Sequence, residues 1–286
     1  ISGGELSQKS WLLLAKSYIQ NGDFEKAIEI YNELLKISTT SNKKETLFLL
    51  GKVYFKAGFL ERSKQVFLEI LKTSPRTIQA LNYLVLVYEN MRDYKSALEV
   101  LEPLKELGKD TANDEAYLKA LELLNNTKLS QVEKADKLLE IYNNTHHLTY
   151  MIFEYLFKIN PKFAWENFDS SKSELLSDIF WNLNSKDLDL DIIAKNNYLC
   201  ELYSARGDID IAKRSSIFEF DTLIHLKNSS VNANLSFEYV CQHCKNTYPF
   251  AFHRCSSCHG IDTVEVEWSI TKDYYKDFSA ENNSFQ

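Results

Sequence analysis

The feature that most constrains the fold of this chain is a set of residues that recurs about every 34 positions in its first third. In each copy a large apolar residue is followed by a leucine, a further apolar or small residue and a tyrosine, and a second small residue comes nine positions after that tyrosine. Such a period indicates stacked units that bury their apolar faces against one another. The three copies comprise Trp11, Leu14, Ala15, Tyr18, Gly22, Ala27 and Tyr31; Leu47, Leu50, Gly51, Tyr54, Gly58, Ser63, Phe67 and Pro75; and Leu81, Leu84, Val85, Tyr88, Ala97 and Leu101.

Each copy predicts two antiparallel helices joined by a short turn. A small residue at position 15, 51, 63 or 97 lets the two helices approach closely, and large residues fill the space beside it. The 286-residue chain has only 8 glycines and 4 prolines, which favours long helices over a sheet with many tight turns. We therefore predict an all-α architecture over residues 1–235.

These positions resemble the tetratricopeptide repeat, whose motif is W-x2-L-G-x2-Y followed by A, then F or Y, then P. The resemblance implies a solenoid in which the first helix of each pair lines a concave, protein-binding face. The groove positions that the resemblance implies are Leu12, Lys16, Ile19, Phe48, Lys52, Phe55, Asn82, Leu86 and Glu89. The apolar and lysine side chains among them suit a helix or an extended peptide that carries acidic groups.

The repeat pattern weakens after the third copy and returns near residue 200. We predict helices, interpreted as degenerate repeats, at 116–124, 132–142, 148–158, 161–168 and 172–184. Cys200, Tyr203, Gly207 and Ala212 restore the nine-residue spacing and predict one more helical pair. Because Cys200 takes the small-residue position of that pair, we interpret it as a buried packing thiol.

Four of the five cysteines lie within 18 residues near the C-terminus. Two residues separate Cys241 from Cys244 and Cys255 from Cys258, and ten residues separate the pairs. Two such knuckles supply the tetrahedral four-sulfur set that zinc prefers. Apolar and polar residues alternate on both sides of the set, which predicts a small β ribbon over residues 236–271. A module this small has little core of its own, so we expect structural zinc to stabilise it, followed by a flexible polar tail at 272–286.

Other occupants of this site fit the same spacing. Iron takes the same four-thiolate set. The string Cys255-x2-Cys258-His259 also matches the haem-attachment motif, but a metal knuckle accounts for the upstream pair as well. With four thiolates available, we interpret His243, His253 and His259 as neighbours of the site rather than as ligands.

Tetratricopeptide repeats followed by a rubredoxin-type ribbon resemble the LapB (YciM) family of bacterial inner-membrane adaptors. The resemblance implies a membrane helix before the repeats, a ribbon that packs back onto them, and a position at the cytoplasmic face of the inner membrane. It implies protein partners as well, namely a membrane protease of the FtsH type and a client in lipopolysaccharide synthesis. Lys245, Ser256 and His253 stand where that family has glycine, proline and an aromatic residue. A flagellar stator chaperone such as FlgX, which protects a membrane complex from the same protease, is a second resemblance.

Composition opposes a role in nucleic-acid recognition. The formal net charge is −7, whereas binding to phosphates needs a basic face. The ribbon is itself acidic, through Glu238, Asp262, Glu265 and Glu267.

Two groups of titratable residues, one with a histidine pair and one with a run of aspartates, have the composition of an acid–base or metal site. A histidine pair at a helix boundary is more often a surface feature, and a run of aspartates is usually a solvated helix start. We therefore predict a non-enzymatic adaptor or chaperone with membrane-protein partners and no small-molecule substrate. A cytosolic repeat scaffold with an unknown client is the alternative. The two groupings are His146, His147 and Glu154, and Asp187, Asp189 and Asp191.

Overall fold

The computed structural model describes residues 2–37, 40–227, 229 and 231–272. Within these ranges the chain forms fourteen α-helices, followed by a small three-stranded sheet. This confirms the predicted fold class of a helical array with a C-terminal β ribbon. The chain divides into two compact units, Ile1–Asn126 and Thr127–Gln286. Across the part of the chain that the structure describes, no helix combines the length and the apolar composition that a membrane span requires.

The first unit consists of the three predicted helical pairs and one further helix. Each helix packs against the next one along the chain. Gly22 and Gly58 lie in the turns that follow the first helix of their pairs, with φ of 79° and 78°, a left-handed conformation that glycine adopts without steric cost. Arg92 takes this conformation in the third pair, with φ 59°. The helices are α1 (Ser2–Gln20), α2 (Phe24–Ile37), α3 (Thr40–Lys56), α4 (Leu60–Thr73), α5 (Ile78–Asn90), α6 (Tyr94–Glu106) and α7 (Ala112–Asn125).

The core of the first unit is built from small residues set against large ones. A Cβ atom added at Gly51 would lie 2.8 Å from ring atoms of Phe67, so the glycine allows α3 and α4 to approach closely. The equivalent positions in the first pair hold Ala15 and Tyr31, which share one buried cluster. The Ser63 hydroxyl donates a hydrogen bond to the Gly51 carbonyl at 2.9 Å, which satisfies a polar group in this tight contact.

The second unit contains shorter helices and a core of aromatic rings. The rings of Trp165 and Phe180 stack at 5.0 Å between centroids, and Phe157 meets both edge-on. Such bulky contacts replace the small-residue contacts of the repeat, which explains why the repeat pattern fades here. The helices are α8 (Gln131–Thr145), α9 (Thr149–Ile159), α10 (Pro161–Asn167), α11 (Ser177–Asn182), α12 (Leu190–Lys195), α13 (Asn197–Arg206) and α14 (Phe218–Leu226), with 3-10 helices at Ser170–Leu176 and Ser185–Asp187.

The helical pair predicted around Cys200 forms only in part. Helix α13 ends at Arg206, and the segment 208–217, which includes Ala212, is not helical. Side chains satisfy its backbone instead, because the Ala212 N–H donates to the Ser204 hydroxyl at 3.0 Å and the Ser215 N–H to the Asp221 carboxylate at 3.0 Å. The predicted second helix is therefore wrong. Cys200 itself is a buried free thiol, as predicted.

The sheet has the strand order β2-β1-β3, and its strands are antiparallel. They are β1 (Ala233–Cys241), β2 (Thr247–Tyr248) and β3 (Val264–Lys272). The predicted domain limits at residues 235 and 271 fall inside β1 and β3. The sheet shares its unit with α8–α14. Apart from Lys272, the predicted flexible tail lies outside the described residues.

Replacing Gly51 by alanine tests the close contact of α3 and α4. Alanine normally stabilises a helix relative to glycine by about 0.5–1 kcal/mol. Here the methyl group would meet the Phe67 ring, so we expect Gly51→Ala to destabilise the first unit by about 1–3 kcal/mol in urea unfolding followed by circular dichroism. In a double-mutant cycle, Phe67→Leu should offset part of that loss. A Gly51→Ala variant more stable than the native protein would contradict the packing argument.

Candidate functional site

The four cysteines of the ribbon meet at one point. All four Sγ atoms lie within 4.8 Å of one another, and the Cys241–Cys258 and Cys244–Cys255 Sγ pairs are 3.6 Å apart. Tetrahedral coordination with metal–sulfur bonds of about 2.3 Å places the sulfurs about 3.8 Å apart. The four residues therefore form a thiol set whose geometry fits a tetrahedrally coordinated ion.

Two turns of the same design hold the thiols. In the first, the Lys245 N–H donates to the Cys241 carbonyl at 2.8 Å, and in the second the His259 N–H donates to the Cys255 carbonyl at 2.9 Å. Both donors have a left-handed backbone, with φ 58° at Lys245 and 62° at His259. Glycine would suit this conformation better, which gives a physical reason for glycine at the position of Lys245 in the LapB pattern. Lys245 adopts the same turn despite its side chain.

The thiol set needs a positive charge to be fully ionised. Burial raises the pKa of the Cys241 thiol, but hydrogen bonds from Thr263 and from the N–H groups of Cys244 and His243 outweigh burial and lower it to about 6. Burial raises the pKa of Cys258 to about 12, although the Gly260 N–H opposes the shift. Thiolates this close repel one another, so a bound cation is the condition under which all four ionise.

Two hydroxyl groups lie beside the thiols. The Thr263 Oγ1 is 3.3 Å from the Cys241 Sγ, and the Tyr248 hydroxyl oxygen is 3.1 Å from the Cys255 Sγ. Hydrogen bonds to ligand sulfurs orient them and tune the affinity of a metal site. The sequence did not single out either residue.

The histidines near the ribbon lie outside the four-thiol set. His253 Nε2 is 2.7 Å from Glu154 Oε2, so it joins the ribbon to α9. His259 closes the second turn through its backbone, and His243 lies beside Gly260.

The ribbon is fastened to the helices of the second unit at several points. The Leu148 N–H, just before α9, donates to Asp262 Oδ2 at 3.0 Å. At the other end of the sheet, Trp181 Nε1 donates to Asn234 Oδ1 at 2.8 Å. The Trp268 ring of β3 also stacks on Phe220 of α14, with centroids 5.7 Å apart. The sheet and these helices thus share one packed interface.

At the centre of this interface lies Asp178, which sequence reasoning missed. It is 6% exposed, and its Oδ2 accepts hydrogen bonds from the hydroxyls of Tyr150 at 2.6 Å and Tyr239 at 2.8 Å. Its Oδ1 is buried and takes no hydrogen bond from a described residue. Burial raises the pKa of Asp178, although the two tyrosine hydrogen bonds oppose that shift. The sequence signal that could have identified Asp178 is its position within the largely apolar run 175–181.

Part of the predicted groove forms a trough on the first unit. Leu12, Lys16, Ile19 and Lys52 line a space of about 600 Å³. Sequence reasoning missed its other lining residues, although several lie on the same helical stripes as the predicted ones. They are Lys9, Leu13, Tyr31, Leu49, Val53 and Lys56.

The remaining predicted groove residues do not line this trough. The rings of Phe48 and Phe55 contact the Tyr83 ring edge-on, at 5.5 and 6.1 Å between centroids. Further along, Leu86 is buried. Asn82 is exposed and Glu89 is half-buried.

The residues considered for catalysis have structural partners. Glu154 bonds His253 rather than the histidine pair, in which His146 ends α8 and His147 Nδ1 lies 3.9 Å from Asp262 Oδ2. In the aspartate run, the Asp189 side chain caps α12 by accepting from the N–H groups of Asp191 and Ile192. The Asp187 carbonyl accepts from the Trp165 indole.

The family model of the tetratricopeptide repeat matches residues 8–40, which cover the first helical pair. The next two helical pairs, α3–α4 and α5–α6, have the same order of helix, turn and helix as the matched pair. A search of curated proteins found no significant match.

Among solved structures, the chain is similar to MamA, residues 41 to the end, from Desulfovibrio magneticus RS-1, with 20% identity and a TM-score of 0.41, covering 56% of this chain and 90% of that one. It is also similar to a tetratricopeptide repeat protein from Parabacteroides merdae, with 13% identity and a TM-score of 0.42, covering 77% of this chain and 98% of that one.

Substituting Asp178 tests the charge at the ribbon interface. A group whose pKa is raised by folding contributes stability below its unfolded pKa, and that contribution is lost as the pH rises through the folded value. Asparagine keeps an oxygen acceptor without the charge, so we expect Asp178→Asn to unfold at higher urea than the native protein at neutral pH. The difference should shrink as the pH falls toward about 4. Tryptophan fluorescence is a suitable measurement, since Trp165, Trp181 and Trp268 belong to the second unit.

The matched control removes a donor instead of the charge. Tyr239→Phe takes one hydrogen bond from the buried carboxylate and is expected to destabilise the unit by about 1–3 kcal/mol. An Asp178→Asn variant that is less stable than the native protein at neutral pH would show that the ionised carboxylate stabilises the interface.

Proposed function

We propose that this protein is a non-enzymatic adaptor or chaperone that holds protein partners on its tetratricopeptide repeats. The observation that carries the proposal is the trough along α1 and α3, whose apolar lining includes Leu13, a side chain that is 68% exposed. An open apolar surface of this kind is typical of a protein-binding site. Its position on the first helices of two repeats is where the family's partner-binding face lies.

The partner class follows from the resemblance to the LapB family. Repeats combined with a four-thiol ribbon support a role at the cytoplasmic face of the inner membrane. There the protein would link or shield a membrane-protein client with respect to a protease of the FtsH type. The ribbon docks on helices of the second unit through Asp262, Asn234 and Trp268, and a ribbon docked on the helical part of the chain is what the resemblance implies. Protection of flagellar stator units from the same protease is the alternative.

We infer that the ion in the ribbon is zinc and that its role is structural. Four cysteines in two knuckles form the set that zinc prefers, and the two hydroxyls beside them suit fixed ligand positions. With the ion bound, Cys241, Cys244, Cys255 and Cys258 would hold the two turns together as thiolates.

Elemental analysis of the native protein tests this assignment. We expect about one zinc per chain, because one four-cysteine set binds one ion. Cys241→Ser combined with Cys258→Ser should lose the metal. Cys200→Ser is the matched control and should keep it, since the Cys200 thiol donates to the Ile193 carbonyl away from the ribbon. Iron in place of zinc would contradict the assignment, and a metal-free native protein would contradict the metal site itself.

Affinity purification from the native cells in mild detergent tests the adaptor role. We expect the tagged full chain to enrich an integral membrane protein and an FtsH-type protease over the tag alone. Deleting the gene should change the half-life of the membrane protein that is recovered. Recovery of flagellar stator subunits would favour the alternative client. If neither a protease nor a membrane protein is enriched, the adaptor role is wrong.

A further inference from the structure

The trough of the first unit is formed by the same pattern on two helices. On α1, residues Lys9, Leu12, Leu13 and Lys16 follow the spacing i, i+3, i+4, i+7, and residues 49, 52, 53 and 56 follow it on α3. This spacing places four side chains on one face of a helix. Two stripes of mixed leucine, valine and lysine therefore line one space of about 600 Å³.

The lysines of the trough have no carboxylate partner in the part of the chain that the structure describes. Among the described residues, none of Lys9, Lys16, Lys52 and Lys56 forms an ion pair. Lys52 Nζ lies over the Tyr83 ring, 5.4 Å from its centroid, in a cation–π contact. The whole chain has a net charge of −7, so four lysines that form no ion pair with a described residue make the trough a local region of opposite sign. Such a region attracts and orients an anionic ligand.

The dimensions of the trough favour a polypeptide over a lipid. Its lining runs from Lys9 to Ile19 on α1, a rise of about 15 Å, which is nearly three helical turns. The cations are distributed along this length, at residues 9 and 16 on α1 and at 52 and 56 on α3. A fatty acid carries its charge at one end only. A helix with carboxylates along its sides can reach lysines on both α1 and α3.

We propose that the trough binds an acidic amphipathic helix of a partner protein. Apolar residues of that helix, spaced i, i+3, i+4, i+7, lie against Leu12, Leu13 and Leu49, and flanking aspartates or glutamates face the four lysines. The assignment rests on the proposed function, because it specifies the chemistry of the protein partner. It also accounts for the exposure of Leu13, which a bound helix would cover.

Synthetic helices provide the probe for this site. The binding peptide has about 14 residues, enough to span the trough, with leucines at i, i+3, i+4, i+7 and glutamates beside them. A second peptide replaces the glutamates by lysines, and a third has the first composition in scrambled order. Fluorescence anisotropy with the full chain should show binding of the acidic patterned peptide alone, weakening as salt is added.

Charge reversal inside and outside the trough provides the matched comparison. We expect Lys16→Glu with Lys56→Glu to weaken binding about tenfold. Each substitution replaces an attraction to the acidic peptide by a repulsion, and the effect is moderate because both positions are exposed to solvent. Lys95→Glu with Lys109→Glu makes the same change of net charge at exposed positions outside the lining and should leave the affinity unchanged. Leu13→Ser should weaken binding without altering the circular dichroism spectrum, because that side chain is exposed.

Several results would overturn the proposal. Equal binding of the scrambled peptide would exclude a patterned helix, and equal losses in the two charge-reversal pairs would exclude the trough. Displacement of the acidic peptide by dodecanoate at lower concentration than by unlabelled peptide would assign the trough to a lipid. If the peptides fail while membrane proteins are still recovered from cells, the trough assignment falls and the adaptor role stands. If the peptides do not bind and no membrane protein or protease is recovered from cells, both the trough assignment and the adaptor role are wrong.

Discussion

Repulsion among four converging thiolates is the constraint on which the C-terminal part of this molecule depends. The ribbon sheet has three strands, one of them only two residues long, and this offers little core of its own. The sulfur atoms converge within 4.8 Å, so as thiolates they would need a cation to compensate their charge before they could hold the two turns together. The residues that follow each knuckle, Lys245 and His259, accept a left-handed backbone to make this convergence possible. With an ion bound, the four-cysteine set would serve as the core of the ribbon.

The ribbon in turn completes the second unit. Asp178 lies on a helix of only six residues and joins α9 to β1 through the hydroxyls of Tyr150 and Tyr239. A buried carboxylate with one unpaired oxygen is destabilising unless its partners are held in place. Because Tyr239 lies on β1, displacing this strand would remove one of the two hydrogen bonds that Asp178 accepts. The first unit is stabilised in a different way, because small residues such as Gly51 let its long helices pack closely.

The parts of the structure that sequence predicted well are set by local spacing. The three helical pairs, Cys200 as a buried thiol and the convergence of four cysteines follow from patterns within one repeat or one ribbon. Non-local contacts could not be predicted in this way: the hydrogen bonds of Asp178 join residues 28 and 61 positions apart. The segment around Ala212 was wrongly predicted as helix, because its spacing matches the repeat while Ser204 and Asp221 capture its backbone N–H groups. In the trough, the predicted set omitted Lys9 and Lys56, which a search for helical stripes would have included.

Hydrogen–deuterium exchange with and without a metal chelator tests most directly whether the metal-bound ribbon supports the second unit. If it does, removing the metal should reduce protection in β1 and β3 and then in α9 and α11, which carry Tyr150 and Asp178. Protection in α2–α6, whose contacts are made within the first unit, should not change. Unchanged protection of the ribbon after the metal is removed would contradict this account.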